Sequence, residues 1–320
     1  MQIDLLASPD YILGDITHDK NLTEALGDIS ARFLNSDAGV RVAFFTNSNN
    51  VSFCHTINNQ CVLPHVGRTL TNGICYAVSK EPNGFLTKAD CLYKNGEEEV
   101  IFSQTERATY FYELFLPSFN KVQSLSLIID DDATITASAH LSKAPIVFLG
   151  GNLTLGYGST FASAMFSQII SRNTKRDFYN LALPDANFLN AKLAAEVKRF
   201  NPAIIVSEID CANMSFMYLR GNLGSYIKEL IKTTSAPIIA FSSAFCGYKT
   251  KSYVRKIKFI NKAIKKLSSA YPGRIAFVNV EDVFSKFDCD EYSFSKDYIN
   301  DNGNLILADY LTSIISEYCG

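Results

Sequence analysis

The residues of this chain that could do acid–base or nucleophilic chemistry gather in its second half, and they do so without histidine. His18, His55, His65 and His140 all lie in the first 140 residues. A hydroxyl nucleophile near neutral pH ordinarily needs such a base beside it. The second half offers instead a glycine-rich string, FLGGNLTLGYGST (148–160), with the carboxylates Asp185, Asp210 and Asp297, the phenol Tyr298, and the hydroxyls Ser159, Ser242 and Ser243. Two nucleotide readings of the string fail. Gly151 and Gly156 have phosphate-loop spacing, but Tyr157 stands where the lysine belongs, and no G-x-G-x-x-G is present. Taken alone, the string is a tight strand-to-helix turn.

The elements that must position these residues change character along the chain. Residues 38–130 carry short apolar segments, VRVAFFT, NVSFCHTI, GICYAVS, EVIFSQT, YFYELFLP and SLSLIID, separated by NSNN, INNQ, EPNG and KNGEE. Strands split by turn compositions at this spacing predict an antiparallel sandwich or jelly roll. One helix is expected before them, over 20–34. After Pro145 strands and helices alternate: PIVFLG, FYNLAL, AIIVSEI, PIIAFSS and RIAFVNV are each followed by a helical stretch. That order predicts a parallel sheet covered on both faces. The boundary falls in ASAHLSKAP, giving domains 1–140 and 141–320. In such a sheet Asp185, Asp210, Asp297 and Tyr298 would gather at the carboxyl ends of the strands, where open α/β sheets bind ligands.

The chain has 320 residues, is 47% hydrophobic and carries a formal charge of −2, which offers no bulk attraction for nucleic acid. No secretory signal and no apolar run of roughly 20 residues is visible. Eight cysteines are scattered without a C-x-x-C pair or a zinc spacing. Free thiols, a cytoplasmic location and no metal or cofactor are expected. A disulfide among Cys54, Cys61, Cys75 and Cys91 stays open.

Four blocks in order carry a family likeness. GGNLTLG is similar to the first block of the SGNH, or GDSL, hydrolases, with Gly150, Thr154 and Gly156 matching and Asn152 at the nucleophilic serine. FYNLALPDAN resembles the second block: Asn180 matches, while Ala182 and Asp185 replace glycines, the latter at an oxyanion-hole N–H. SEIDCANM resembles the third, with Asp210, Cys211, Asn213 and Met214 matching and Asn213 at the oxyanion asparagine. SKDYINDNG resembles the last; anchored on Asn300 and Gly303, it puts Tyr298 at the histidine and Ser295 at the aspartate. A shift of two places Asp297 at the aspartate and Asn300 at the histidine. GVRVAFFTNS, GRTLTNGICYAV and YFYELFLPSFNKVQSLSL resemble the β-sandwich that precedes the hydrolase domain in two-domain carbohydrate-esterase-like members.

The resemblance implies an N-terminal antiparallel β-sandwich, jelly-roll-like, then a flavodoxin-like three-layer α/β/α domain. It also implies an ester-cleaving site whose parts are replaced. Asn152 is an amide, Tyr298 has a reference pKa near 10, and Ser295 cannot orient an imidazole. Losing such a unit costs roughly a millionfold in rate. The expected pocket, lined by Gly151, Asn152, Asp185, Asp210, Asn213, Asp297 and Tyr298, then serves a non-catalytic binding or assembly module. Its ligand would be a small molecule or glycan, its partner a protein. The alternative is an active carbohydrate esterase or acyltransferase with substituted residues, drawing on Ser159, Ser242, Ser243 or His140. A nucleotide-binding enzyme is a third reading. Finally, Lys251, Arg255, Lys258, Lys262 and Lys266 recur at helical spacing in 251–267, against Val254, Ile257, Ile264 and Leu267. This is a solvated helix face or a contact for an anionic partner.

Overall fold

The computed structural model describes the chain except residues 17–18, 28–35, 59–60, 62, 64–65, 83, 139–142, 184–188, 212, 243–249, 296–297 and 320, and the side chains of Asn21, Ala25, Phe294 and Ser295. It divides into two compact units. The first comprises Met1–Asp15, Leu34–His140 and Thr160–Ser163; the second comprises Ile16–Phe33, Leu141–Ser159 and Ala164–Gly320.

The first unit is built from two antiparallel sheets. Its strands are β1 (Gln2–Asp4), β2 (Ile12–Leu13), β3 (Arg41–Thr46), β4 (Asn50–Ile57), β5 (Ile74–Ser79), β6 (Leu86–Leu92), β7 (Glu98–Ser103), β8 (Tyr110–Phe115), β9 (Val122–Ile129) and β10 (Ile135–Ala137). One sheet runs β1-β9-β4-β7 and the other β10-β3-β8-β5-β6, with β2 on β3. Alternate residues point to one face of a strand. Val42, Phe44, Tyr76 and Leu114 from one sheet therefore share a core with Val51, Phe53, Leu125 and Leu127 from the other. All six strands expected from the sequence are present. The edge strand β6, LTKADCL, was not expected, because its first five residues are exposed and it has no apolar alternation.

The second unit has a five-stranded parallel sheet of β11 (Ile146–Leu149), β12 (Phe178–Asn180), β13 (Ile204–Ile209), β14 (Ile238–Ser242) and β15 (Ile275–Val278), in the order β12-β11-β13-β14-β15. This is the flavodoxin-like order. Its strands are mostly apolar because both faces are covered, with Glu208 near the carboxyl end of β13 an exception. Val147, Leu149, Ile205 and Ile238 pack under the Ala191–Glu196, Phe216–Thr233 and Lys251–Ala270 helices. Ile146, Phe148, Val206 and Phe241 pack under the Phe166–Thr174 and Asp301–Cys319 helices. Leu22 and Leu26 of the early helix Lys20–Leu26 join the first of these two layers.

One helix is shorter than its sequence suggests. In GSTFASAMFSQIISR the α-helix begins only at Phe166, since Gly158 has φ +93° and Met165 is extended. Among the described residues no helix is long and apolar enough to cross a membrane. Cys289 is disulfide-bonded, so the thiols are not all free as the sequence led us to expect.

Candidate functional site

The glycine-rich string is the loop that leaves β11. It is held as consecutive turns by its own backbone: Leu155 N–H donates to Gly151 O at 3.1 Å, Gly156 N–H to Leu153 O at 2.8 Å and Tyr157 N–H to Asn152 O at 3.0 Å. Gly156 and Gly158 sit at φ +94° and +93°, which L side chains rarely adopt. A Cβ on Gly158 would also run into the Ile299 carbonyl. The loop thus lies directly on the two-residue strand β17 (Tyr298–Ile299), which pairs with β16 (Ser293–Ser295). The Tyr157 ring stacks on the Tyr298 ring, centroids 5.3 Å apart and planes at 28°.

Beneath the loop lies a carboxyl group that the sequence reading did not single out. Glu208, near the end of β13, accepts three hydrogen bonds on Oε2: from Gly151 N–H at 3.0 Å, Thr154 N–H at 2.9 Å and Thr154 Oγ1 at 2.6 Å. Its Oε1 is buried with no hydrogen-bond partner. Burial first, and the nearby Asp210 second, push the Glu208 carboxyl up to about 7 against those hydrogen bonds. The two carboxyls follow period-two spacing and pack on the two glycines. A Cβ on Gly150 would lie 2.6 Å from Glu208 Oε2, and one on Gly151 2.9 Å from Asp210 Cβ. The signal was present in SEID: a glutamate two residues before Asp210 on a strand shares its face.

Neighbouring segments are tied to the same loop. Asn180, at the end of β12, donates from Nδ2 to Thr154 O at 2.8 Å and accepts from Ala182 N–H at 3.0 Å. Leu183 N–H donates to Gly150 O at 3.0 Å. The buried Lys256 donates from Nζ to Cys211 O at 2.7 Å and to Met214 O at 2.8 Å. It lies outside the basic stripe read from the sequence: Lys251, Arg255, Lys258, Lys262 and Lys266 are exposed, whereas Lys256 turns inward. On the last segment, Asn300 Oδ1 accepts from Gly303 N–H at 2.9 Å and starts the final helix. Asn304 Oδ1 accepts from Phe166 N–H at 3.0 Å.

The structure therefore packs Asp210 on Gly151, next to Asn152 in the loop, and joins Tyr298 to the same loop through Tyr157. Asn152 is half-buried and Asn213 exposed. Asp185, Asp297, Ser243 and His140 lie outside the described residues, as does the side chain of Ser295. The remaining nucleophile candidates are occupied or enclosed. Ser242 Oγ is buried and donates to Asn261 Oδ1 at 3.0 Å. Ser159 Oγ is buried without a partner. The Cys211 thiol is pushed up to about 12 by burial and by Asp210, so it is an inert thiol. His55 is buried in β4 of the first unit, where desolvation lowers its pKa. Among the described residues no cluster of three or more His, Cys, Asp or Glu could hold a metal.

Residues 19–135 match the family model GxDLY, described as the N-terminus of SGNH-hydrolase-type esterases. The whole chain superposes on a GDSL-like lipase from Bacteroides ovatus with a TM-score of 0.85 at 16% identity, covering 99% of this chain and 97% of that one. The fold is that of a two-domain SGNH esterase. The salicylyl-acyltransferase SsfX3 from a tetracycline biosynthetic pathway is similar at a TM-score of 0.73 and 14% identity, over 98% and 95% of the two chains. A family two carbohydrate esterase from Clostridium thermocellum, in complex with cellohexaose, is similar at 0.64 and 12%, over 88% and 93%. No curated protein matches the chain. The SGNH esterase fold accounts for the position of the Gly150–Ser159 loop at the carboxyl end of β11, beside the switch point of the sheet order.

Proposed function

We propose that this chain is a binding or assembly module on an SGNH esterase fold, without the serine–histidine–aspartate chemistry of that fold. One observation carries the reading. The loop presents Asn152 where the resemblance places the nucleophile, and the residue stacked against that loop is Tyr298, a phenol, where the resemblance places the base. An amide does not attack an ester, and an ordinary phenol does not take a proton at neutral pH. What the residues on and around the loop retain suits binding: an amide, a carboxyl and two stacked aromatic rings, a combination that fits a glycan or another small polar ligand. The proposal takes 1–140 and 141–320 as the two sequence modules, whose compact units exchange only the short segments 16–33 and 160–163. The disulfide at Cys289 weighs against a cytoplasmic location.

A second reading rests on the Glu208–Asp210 pair, whose carboxyls pack on Gly150 and Gly151. Two carboxyls held together push their pKa values apart, and such pairs can do acid–base work. Calorimetric titration with cellohexaose and with acetylated xylo-oligosaccharides, alongside an acetate-release assay, separates the two. Binding without acetate release is expected. Acetate release that Asp210→Asn abolishes would overturn the proposal in favour of a substituted active site.

A further inference from the structure

Cys75 on β5 and Cys91 on β6 are direct partners in the antiparallel ladder of the first unit. Directly opposed residues on antiparallel strands have Cα atoms about 4.5–5.5 Å apart, inside the roughly 4.4–6.8 Å that a disulfide spans. The two Sγ atoms already meet at 2.9 Å as a thiol–thiol contact, and both thiols are free. The other strand cysteine of this unit has no such option, since Cys54 faces Ser126 on one side and Glu98 on the other.

We propose that Cys75 and Cys91 form a reversible dithiol–disulfide pair, a covalent clamp on the β5–β6 hairpin. Three features of the site support it. The sulfur of Cys75 is met by the backbone N–H groups of Ala162 and Ser163, which offset part of the rise that Cys91 and burial impose on that thiol. The shared hydrogen bond draws Cys91 down and pushes Cys75 up in turn, so one sulfur ionises ahead of the other. Both side chains are buried, at 4% and 6% exposure, but β6 is an edge strand with five exposed residues, and edge strands open locally at low cost.

The reaction balances with a low-molecular-weight disulfide such as glutathione disulfide as oxidant. The first thiolate attacks one sulfur of that disulfide, forming a mixed disulfide and releasing a glutathione thiolate. The second cysteine loses its proton and attacks the protein sulfur of the mixed disulfide, releasing the second glutathione. Two protein thiols become one disulfide, two electrons reduce the oxidant, and the two protons leave on two glutathiones.

The test uses the full chain equilibrated in glutathione buffers of graded ratio, acid-quenched, differentially alkylated and mapped by peptide mass. We expect the Cys75 and Cys91 peptides to lose alkylation together with one midpoint. Under oxidising conditions they should appear as one linked species about 2 Da lighter than their sum. The disulfide of Cys289 is followed on its own peptide. Of the two variants Cys75→Ser and Cys91→Ser, the one retaining the attacking sulfur should accumulate a glutathione adduct for want of a resolving thiol. Stable glutathione adducts on the wild-type pair, linkage of either cysteine to Cys54 or Cys61, or continued alkylation of both while Cys54 is oxidised would each overturn the proposal, as would the absence of an adduct in both variants.

Discussion

Glu208 holds Thr154 twice, taking its backbone N–H at 2.9 Å and its hydroxyl at 2.6 Å on the same oxygen. With Gly151 N–H on that oxygen as well, one buried side chain sets the start of the Gly150–Ser159 loop. Glu208→Ala leaves three buried donors without an acceptor, each costing about 1–3 kcal/mol. The expected loss is about 3–5 kcal/mol by denaturant titration. Glu208→Gln keeps a carbonyl oxygen for all three donors but leaves its buried amide N–H groups without an acceptor at the Oε1 position, so its loss should be about 1–3 kcal/mol, smaller than that of Glu208→Ala.

Glu208 also sets a pH dependence. Its carboxyl is raised from 4.5 to about 7 by burial and by Asp210. The folded state therefore binds the proton more tightly than the unfolded chain does. The stability this contributes is present in full below about 4.5 and is lost as pH rises through about 7. Asp37 in the first unit, raised from 3.8 to about 7 by burial, acts in the same direction. Melting temperature should fall between pH 5 and pH 8, and Glu208→Gln and Asp37→Asn should each flatten part of that fall. A wild-type profile that rises over this window contradicts the assignment.

Much of this arrangement could be read from residue order, and the parts that could not have physical reasons. The five parallel strands were legible because burial on both faces makes them continuous apolar runs, as in Ile146–Leu149. The edge strand β6 was not, because exposed residues such as Thr87, Lys88 and Asp90 need no alternation. Asn152, Asp210 and Tyr298 could be named as candidates by their place in ordered blocks, and the structure sets Asn152 and Tyr298 on the same loop contact. Glu208 was hidden inside a strand, since its role is to accept hydrogen bonds from a distant loop, and Lys256 was hidden among exposed lysines of the same helix.

That last contrast is measurable. Lys256→Met removes the donors on Cys211 O and Met214 O and should cost about 2 kcal/mol, while Lys258→Met, on the exposed face, should stay within about 0.5 kcal/mol. Amide hydrogen exchange at Met214 should quicken in the first variant only.

The Tyr157–Tyr298 stack should appear as coupling. Stacked aromatic pairs contribute about 0.5–1.5 kcal/mol beyond burial. A double-mutant cycle of Tyr157→Ala and Tyr298→Ala, followed by chemical denaturation, should return an interaction energy in that range. Gly158→Ala should cost more, about 2 kcal/mol or above, because its Cβ meets the Ile299 carbonyl and its φ is +93°.

On the proposed reading, the loop around Asn152 retains a hydrolase frame whose working groups have been replaced. Hydrolysis of p-nitrophenyl acetate by the wild type and by the combined variant Asn152→Ser, Ser295→Asp, Tyr298→His tests it most directly. No wild-type turnover above the buffer rate and a measurable gain in the combined variant are expected. Wild-type turnover that disappears on Asn152→Ala or Asp210→Asn would contradict it.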